Sequence, residues 1–199
     1  MPVRRIALVL VLALAGCGPQ AAPAVPATPS PSAVAAPNGV DLLFAQMMVV
    51  HHAQAVQLSR ILLARPGVRE RELRIAGFIA QDQQREIDEM NAWLVAWGRP
   101  AVDPADPVVR QLHGGGDAAA HGMLSDAQLD QVRAAAPAAA SRLFLRQMIA
   151  HHTGAITMAR SVLDDGANDY VRTLAKHIIN EQAAENDAMR ALLATPPPG

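Results

Sequence analysis

The chain of 199 residues carries 17 Lys and Arg against 18 Asp and Glu, which gives a formal net charge of -1. Outside the N-terminal segment the sequence has no dense run of Lys and Arg. This argues against a nucleic-acid partner, because binding to phosphates depends on clustered cations. Its single cysteine excludes both a disulfide framework and a site built from several thiolates.

The first segment, residues 1–17, is typical of a secretory signal peptide. Arg4 and Arg5 precede an apolar run that is too short to span a bilayer permanently. The closing phrase LAGC matches the lipobox of bacterial lipoproteins, which implies cleavage before Cys17 and acylation of its thiol. The alternative is a generic signal peptide with an incidental cysteine. We therefore expect an extracytoplasmic protein, held by lipid on a bacterial membrane in the periplasm or at the cell surface.

Two further parts follow the signal peptide. Residues 18–38 consist almost wholly of Pro, Ala, Ser, Thr and Val, a composition that predicts a disordered tether. Residues 39–195 form one domain, long enough to bury a hydrophobic core. Because this remainder has no apolar stretch of transmembrane length, the lipid would be the only anchor.

The domain contains an internal duplication. At a shift of 100 residues, FAQMMVVHHAQAVQLSR, which begins at Phe44, aligns with FLRQMIAHHTGAITMAR, which begins at Phe144. Downstream the match continues at a shift of 99, where Glu86 aligns with Glu185. Each copy is therefore one repeated structural unit.

Each repeat unit predicts a helical hairpin. Hydrophobic spacings of three and four residues favour helices over strands, and the phrases RPGV and DDGAND interrupt the two units. Two hairpins make an all-α four-helix bundle. A Gly/Pro-rich crossover, residues 98–137, joins the units and predicts a short helix capped by Ser125. The predicted long helices are 40–64 and 68–97 in the first unit (40–97), and 138–164 and 168–194 in the second (138–194).

A His pair lies on the buried side of the first and third predicted helices. At about 100° per residue, His51 falls at the centre of the apolar stripe and His52 on its flank. The second unit repeats this arrangement with His151 and His152. A methionine stands four residues before the second histidine of each pair, so a thioether can lie beside an imidazole. These methionines are Met48 and Met148.

The second and fourth predicted helices place a glutamate on the core stripe. A buried glutamate without a partner is costly, so each needs a cation or a donor facing it. Counting back from the hairpin turn places His51 within about one helical turn of Asp82 and Glu86. We therefore expect two His–carboxylate clusters, related by a pseudo-two-fold axis, that could merge into one site. The matching group in the second unit is His151, Glu181 and Glu185.

Two interpretations of these polar side chains remain open. Each histidine can donate to its glutamate in a core that binds no ligand, or the cluster can be a metal or proton-linked site. The occurrence of His-His, core Glu and Met in both units favours the second. Other candidates are interpreted as structural. Met90 and Met189 are interpreted as core residues, and His177 as a surface residue. The crossover residues His113, His121 and Met123 are interpreted as parts of a solvated loop.

With these residues in view, the chain resembles the bacterial domain-of-unknown-function family 305 over about residues 40–194. The resemblance rests on FAQMMVVHHAQAV, IAQDQQREIDEMNAWL, MLSDAQLDQVRAA and FLRQMIAHHTGAITMA. It implies a ferritin-like fold, export and, as in some members, copper binding and copper tolerance. One departure is that the family's common Asp is present at Asp41, whereas the matching position in the second unit is Ser141.

Three functions follow from these patterns. Imidazole and thioether ligands without a thiolate favour copper, in an extracytoplasmic lipoprotein for metal storage, tolerance or delivery. A di-iron or di-manganese oxidase is disfavoured, because its Glu-x-x-His motif occurs nowhere in the sequence. A metal-free structural or interaction module at the membrane is the third. Iron, manganese and zinc are the alternative metals, and no hydrolytic motif is present, so we expect binding rather than catalysis. The candidate metal residues are His51, His52, His151, His152, Glu86, Glu185, Met48, Met148, Asp82 and Glu181.

Overall fold

The structure is a computed structural model that describes residues 35–109 and 119–195. The predicted signal peptide with its acylated Cys17, nearly all of the predicted tether, and His113 lie outside the described residues. Four long helices and a short one have both ends among the described residues, which contain no strand, and this confirms the predicted all-α bundle. The helices are α1 Gly39–Leu63, α2 Glu70–Ala96, α3 Asp126–Ala134, α4 Pro137–Asp165 and α5 Asp169–Ala194.

Local side-chain chemistry sets where the helices begin. The side chains of Asn38 and Asn168 accept hydrogen bonds from the first amides of α1 and α5, which the helices themselves leave unpaired. Ser125 caps α3 in a capping box with Gln128, as the sequence predicts. Pro137 occupies the first position of α4, where its missing N–H costs no helical hydrogen bond.

Two helical hairpins pack against each other. α1 pairs with α2, and α4 pairs with α5, as the duplication predicts, while α1 also packs along α4. The backbones of α2 and α5 approach each other at few points. The two repeat units therefore meet mainly through α1 and α4. Within the described residues, no helix combines the length and apolar character needed to cross a bilayer.

The core consists of two apolar clusters with a polar layer between them. The first cluster contains Phe44, Met48 and Trp93, and the second contains Phe144 and Met148. Each long helix contributes to both clusters, so each passes through the layer that separates them. This layer holds the buried polar side chains of the repeated motifs, because those motifs occupy the middle of every long helix.

Asp41 ties the start of α1 to the turn before α5. Its Oδ2 accepts a hydrogen bond of 2.9 Å from the amide of Asn38, within its own capping box. The same oxygen accepts from the amides of Ala167 and Asn168, each at 3.1 Å. One fully buried carboxylate therefore pairs three main-chain donors from two segments that are distant in sequence.

The equivalent end of the second unit is tied differently. Ser141, which stands at the repeat position of Asp41, only donates to the carbonyl of Pro137 within its own helix, at 3.1 Å. Arg65 takes over the connection by donating to the carbonyls of Arg133 and Ala135, which precede α4. The departure at this position is thus accompanied by a different link between the units.

Candidate metal centre

Four fully buried imidazoles occupy the polar layer. The rings of His51 and His151 stack with centroids 3.7 Å apart and an interplanar angle of 33°. The rings of His52 and His152 lie 6.4 and 6.3 Å from their sequence neighbours. The repeat thus brings all four predicted histidines together, and the pseudo-two-fold axis passes between the two central rings.

The two central histidines leave nitrogen atoms without partners. His51 Nε2 lies 2.9 Å from the carbonyl oxygen of His121 and donates to it, so the lone pair is on Nδ1. Among the described residues, neither this Nδ1 nor either nitrogen of His151 has a hydrogen-bond partner. Buried polar atoms are almost always paired, so these nitrogens require an explanation such as a bound ion.

The carboxylate of the first unit contacts the flanking histidine. His52 Nε2 lies 2.7 Å from Glu86 Oε2 and donates to it, which leaves Nδ1 with a lone pair and no partner in the described chain. The prediction that paired His51 with Glu86 is therefore wrong. The central ring instead faces the other repeat unit, because α1 packs on α4 as well as on α2.

The second unit differs from the first at the matching position. His152 Nε2 accepts a hydrogen bond of 3.1 Å from the Gln83 amide, so its proton is on Nδ1, 3.4 Å from Glu185 Oε2. The predicted pairing of His151 with Glu185 is therefore corrected to His152. The sequence analysis missed Gln83, although its position beside the aligned acidic residue places it near the same layer.

Burial keeps the imidazoles of His51, His151 and His152 neutral. It lowers the pKa of His51 to about 3, and the neighbouring His52 contributes in the same direction. Burial followed by repulsion from the other imidazoles lowers the pKa of His151 and of His152 well below 6.5. The neutral ring is the form that binds metal ions, so the layer presents ligands that need no deprotonation near neutral pH.

A second group of side chains lies where the polar layer reaches the surface between α2 and α5. Each of Asp82, Glu86, His177 and Glu181 offers one ligand atom, and these atoms lie within 4.8 Å of one another. His177 Nε2 is 2.7 Å from Glu181 Oε2 and 3.5 Å from Glu86 Oε1. We call these four residues the outer cluster.

His177 was interpreted from the sequence as a surface residue. Its side chain is 49% exposed, yet it contacts the buried carboxylate of Glu86. The spacing of four residues between His177 and Glu181, which places both on one helical face, was the available signal. Because His177 lies off the core stripe, hydrophobic periodicity alone does not identify it as a site residue.

The carboxylates of the layer perturb one another. Burial raises the pKa of Glu185 to about 8, with further contributions from the charges of Glu181, Asp82 and Glu86. Burial and Asp82 also raise the pKa of Glu181. Burial is the largest single effect on Glu86 and opposes its ionisation, but the hydrogen bond from His52 and the charges of His52, His177 and Arg85 together lower its pKa. On the α2–α5 side of the layer, Glu86 therefore ionises more readily than a free glutamate, and Glu181 and Glu185 ionise less readily.

The predicted thioether residues are buried on both sides of the layer. Met48 packs in the first apolar cluster and Met148 in the second, and both are fully buried. Met90 and Met189 are also core residues, as interpreted from the sequence.

The end of the crossover covers the central imidazoles. At Gly154 a Cβ would overlap the carbonyl oxygen of His121, and at Gly122, with φ +76°, a Cβ would lie 2.5 Å from the carbonyl oxygen of Ala150. His121 and Met123 are partly buried rather than fully solvated, which corrects the interpretation of this part of the crossover. The segment therefore closes the α1–α4 side, and the outer cluster lies on the other side.

The chain belongs to the DUF305 family, whose members share a domain of unknown function. The family profile matches residues 41–193, which include nearly all of α1 and of α5 and the whole polar layer. Among curated proteins no match is found.

Solved structures give the same fold. A DUF305 fragment from Deinococcus radiodurans is 31% identical, with a TM-score of 0.66, over 78% of this chain and 96% of that one. A DUF305 protein from Streptomyces coelicolor, described as secreted, is 30% identical with a TM-score of 0.67, over 78% and 91%. CopM in its Cu(II)-bound form is 30% identical with a TM-score of 0.63, over 77% and 95%. CopM structures with Cu(I) and with silver also match.

Proposed function

We propose that this protein is an extracytoplasmic copper-binding lipoprotein that stores copper, delivers it or confers tolerance to it. The observation that carries the proposal is the pair of stacked central rings, His51 and His151, whose nitrogens include three with no hydrogen-bond partner in the described chain. His51 Nδ1 and one nitrogen of the neutral His151 carry lone pairs, and a bound ion would accept both and remove the cost of burying them unpaired.

The chemistry of the buried donors favours copper. Neutral imidazoles suit copper, and thioethers with no thiolate favour Cu(I) in particular. The similarity to CopM, which has been solved with Cu(I), Cu(II) and silver, supports the same choice. Silver is a redox-inert ion with similar ligand preferences, so it offers an independent probe of a Cu(I) site.

The ligands have different parts in this proposal. His51 and His151 bind the ion, and His52 contributes through its free Nδ1. The hydrogen bond to Glu86 holds the His52 ring in that tautomer, as carboxylates commonly do for metal-binding histidines. Gln83 and Glu185 engage both ring nitrogens of His152, so this ring supports the site rather than binding the ion, and Met48 and Met148 supply thioethers from the apolar clusters on either side.

The location of the protein belongs to the same proposal. A lipid on Cys17 and an extended tether from residue 18 would hold the domain outside the cytoplasm, where a cell first meets excess copper. The description of the Streptomyces coelicolor relative as secreted supports export. Mass spectrometry of the membrane-bound protein would detect the acylated cysteine.

Copper titration tests the function. The purified protein, stripped by chelator, is titrated with Cu(I), Cu(II), Zn(II) and Fe(II), beside a His51→Ala/His151→Ala variant. We expect tight copper binding that the variant loses. Thr153→Ala is the matched control, because Thr153 is exposed on the same helix as His151 and bonds only to its own helix.

Two other outcomes would assign a different function. Tight Fe(II) binding with oxidase activity would indicate a carboxylate oxidase, and the lack of a Glu-x-x-His motif argues against it. If no metal binds, the polar layer only fixes the register of the packed helices, and the protein is a structural or interaction module.

A further inference from the structure

The outer cluster combines two helical faces. Asp82 and Glu86 are four residues apart on α2, and His177 and Glu181 are four residues apart on α5, so each pair projects from one side of its helix. The backbones of the two helices approach each other at few points, and these side chains reach across the gap. Two segments distant in sequence thus bring three carboxylates and one imidazole together.

Glu86 is the buried member of the cluster and is only half paired. The residue is 3% exposed, and its Oε2 accepts from His52. Its Oε1 has no hydrogen-bond partner among the described residues, and it faces the cluster, 3.5 Å from His177 Nε2. A buried carboxylate oxygen that points at other ligand atoms without a donor is the arrangement that a cation would complete.

The cluster also lacks balancing positive charge. Arg85 pairs with Asp82, but it is a half-exposed side chain on the outside of α2 and leaves Glu86 and Glu181 without an arginine or lysine partner among the described ion pairs. Three carboxyl groups therefore lie together with one arginine at their edge, an arrangement that favours binding of a cation.

We propose that Asp82, Glu86, His177 and Glu181 form a second metal site, which binds a divalent cation of the Zn(II) type and is separate from the copper site. Carboxylate oxygens and one imidazole nitrogen are ligands that Zn(II) accepts. The four contain no sulfur, so they do not favour Cu(I). This second site does not depend on copper binding in the imidazole layer.

The exposed side of the cluster provides the entry route. His177 is half exposed and Glu181 is 22% exposed, whereas Asp82 and Glu86 are nearly buried. An incoming ion would exchange its water first for the two α5 ligands and then for the two α2 ligands. The described end of the crossover contacts His51 on α1 and Gly154 on α4, whereas the outer cluster lies on α2 and α5.

Glu86 connects the two sites. Its Oε2 holds the His52 ring, while its Oε1 would bind the cation of the outer cluster. A cation there fixes the Glu86 carboxylate, and with it the orientation of a proposed copper ligand. Occupancy of the outer site is therefore expected to change the copper affinity, and copper to change the Zn(II) affinity by the same factor.

Competition titration with a chromophoric chelator tests the outer site, with Zn(II) as the probe. The stripped wild-type protein is expected to bind one equivalent that His177→Ala and Glu181→Gln each weaken by about tenfold or more. Asp88→Asn, a change to an exposed acid on α2, is the matched control and should leave the Zn(II) affinity unchanged. Silver binding to His177→Ala should retain the wild-type stoichiometry.

Thermal unfolding supplies a second readout. Zn(II) should raise the Tm of wild type and of Asp88→Asn but not of His177→Ala, since a ligand stabilises only the state that binds it. The proposal is overturned if wild type binds no Zn(II), or if His177→Ala and Glu181→Gln bind it as tightly as wild type. If the wild-type protein binds Zn(II) at the outer cluster but binds no copper, the proposed function is wrong and the outer site is still supported.

Discussion

His51 and His151 stack with ring centroids 3.7 Å apart, where the two repeat units meet. The two histidines occupy the same position in their repeat units, so the contact joins equivalent residues of the two units. An apolar pair at this position would pack without any unpaired nitrogen, whereas these imidazoles carry the cost of buried nitrogens that have no hydrogen-bond partner among the described residues. The stability of the metal-free protein should therefore be sensitive to whatever changes the charge of this layer.

Acid should destabilise the metal-free protein well above the range of carboxylate titration. The pKa of His51 falls from 6.5 to about 3 on folding, so the folded state binds this proton less tightly than the unfolded chain. The resulting stability is fully present above pH 6.5 and is lost as the pH falls through about 3. His151 and His152 act in the same direction.

Each of these histidines contributes a slope of up to about 1.4 kcal/mol per pH unit. Urea unfolding with chelator present, followed by circular dichroism between about pH 7 and pH 5, measures the sum of these slopes less the opposing slope of Glu185, which a Glu185→Gln background removes. A free energy of unfolding that stays constant over this interval would contradict neutral buried imidazoles.

Glu185→Gln should stabilise the metal-free protein at alkaline pH. The pKa of Glu185 is raised to about 8 from 4.5, so its contribution is fully present below pH 4.5 and is lost as the pH rises through about 8. Glutamine keeps the shape and removes the charge. We expect a gain on the order of 3 kcal/mol near pH 9 and almost none near pH 4.

The control for this change is Glu89→Gln, which alters a half-exposed carboxylate on α2 that pairs with Arg85 at 3.7 Å. Its effect should stay below about 1 kcal/mol at either pH. Equal effects of the two substitutions would show that Glu185 is ionised without penalty.

Asp41→Ala should be far more costly than Ser141→Ala, although the two residues occupy matching repeat positions. The first change leaves three main-chain donors without their shared acceptor, at an expected cost of about 2 to 4 kcal/mol. The second removes one bond within a helix and should cost less than about 1 kcal/mol. Chemical unfolding of both variants provides the comparison, and similar losses would contradict the asymmetric link between the units.

Gly154→Ala should displace the crossover segment from the central imidazoles. Its Cβ would occupy the space of the His121 carbonyl, which accepts from His51. Hydrogen exchange should then become faster at residues 121–124, and the Tm should fall. Gly77→Ala is the matched helical control, since its Cβ would meet only one atom, at 3.9 Å, and alanine is the better helix former. Unchanged exchange in Gly154→Ala would show that the segment does not cover the layer.

Much of the fold follows from the sequence, because periodicity, turn phrases and caps are local signals. The four long helices and the capped α3 are where the pattern predicts them, within two residues. The burial of His51 and His151 also follows from their central place on the stripe, whereas His52 and His152, predicted on its flank, are equally buried. The duplication adds the pseudo-two-fold relation between the hairpins.

The pairing of side chains does not follow from the same signals. One residue turns the direction of a helical side chain by about 100°, so the choice between His51 and His52 as the partner of Glu86 depends on how the hairpins pack. The outer cluster likewise depends on the gap between α2 and α5, to which a residue off the core stripe, His177, contributes. Local sequence signals therefore predict the helices, whereas the contacts within the site depend on how the two repeat units pack against each other.

X-ray absorption spectroscopy of the Cu(I)-loaded protein tests the central claim most directly, since it reports the atoms bound to the metal. The account predicts nitrogen ligands with the multiple scattering of imidazole, lost when His51 and His151 are replaced by alanine. A shell of oxygen or sulfur without imidazole scattering, or a spectrum unchanged in the variant, would contradict copper binding by the stacked histidines.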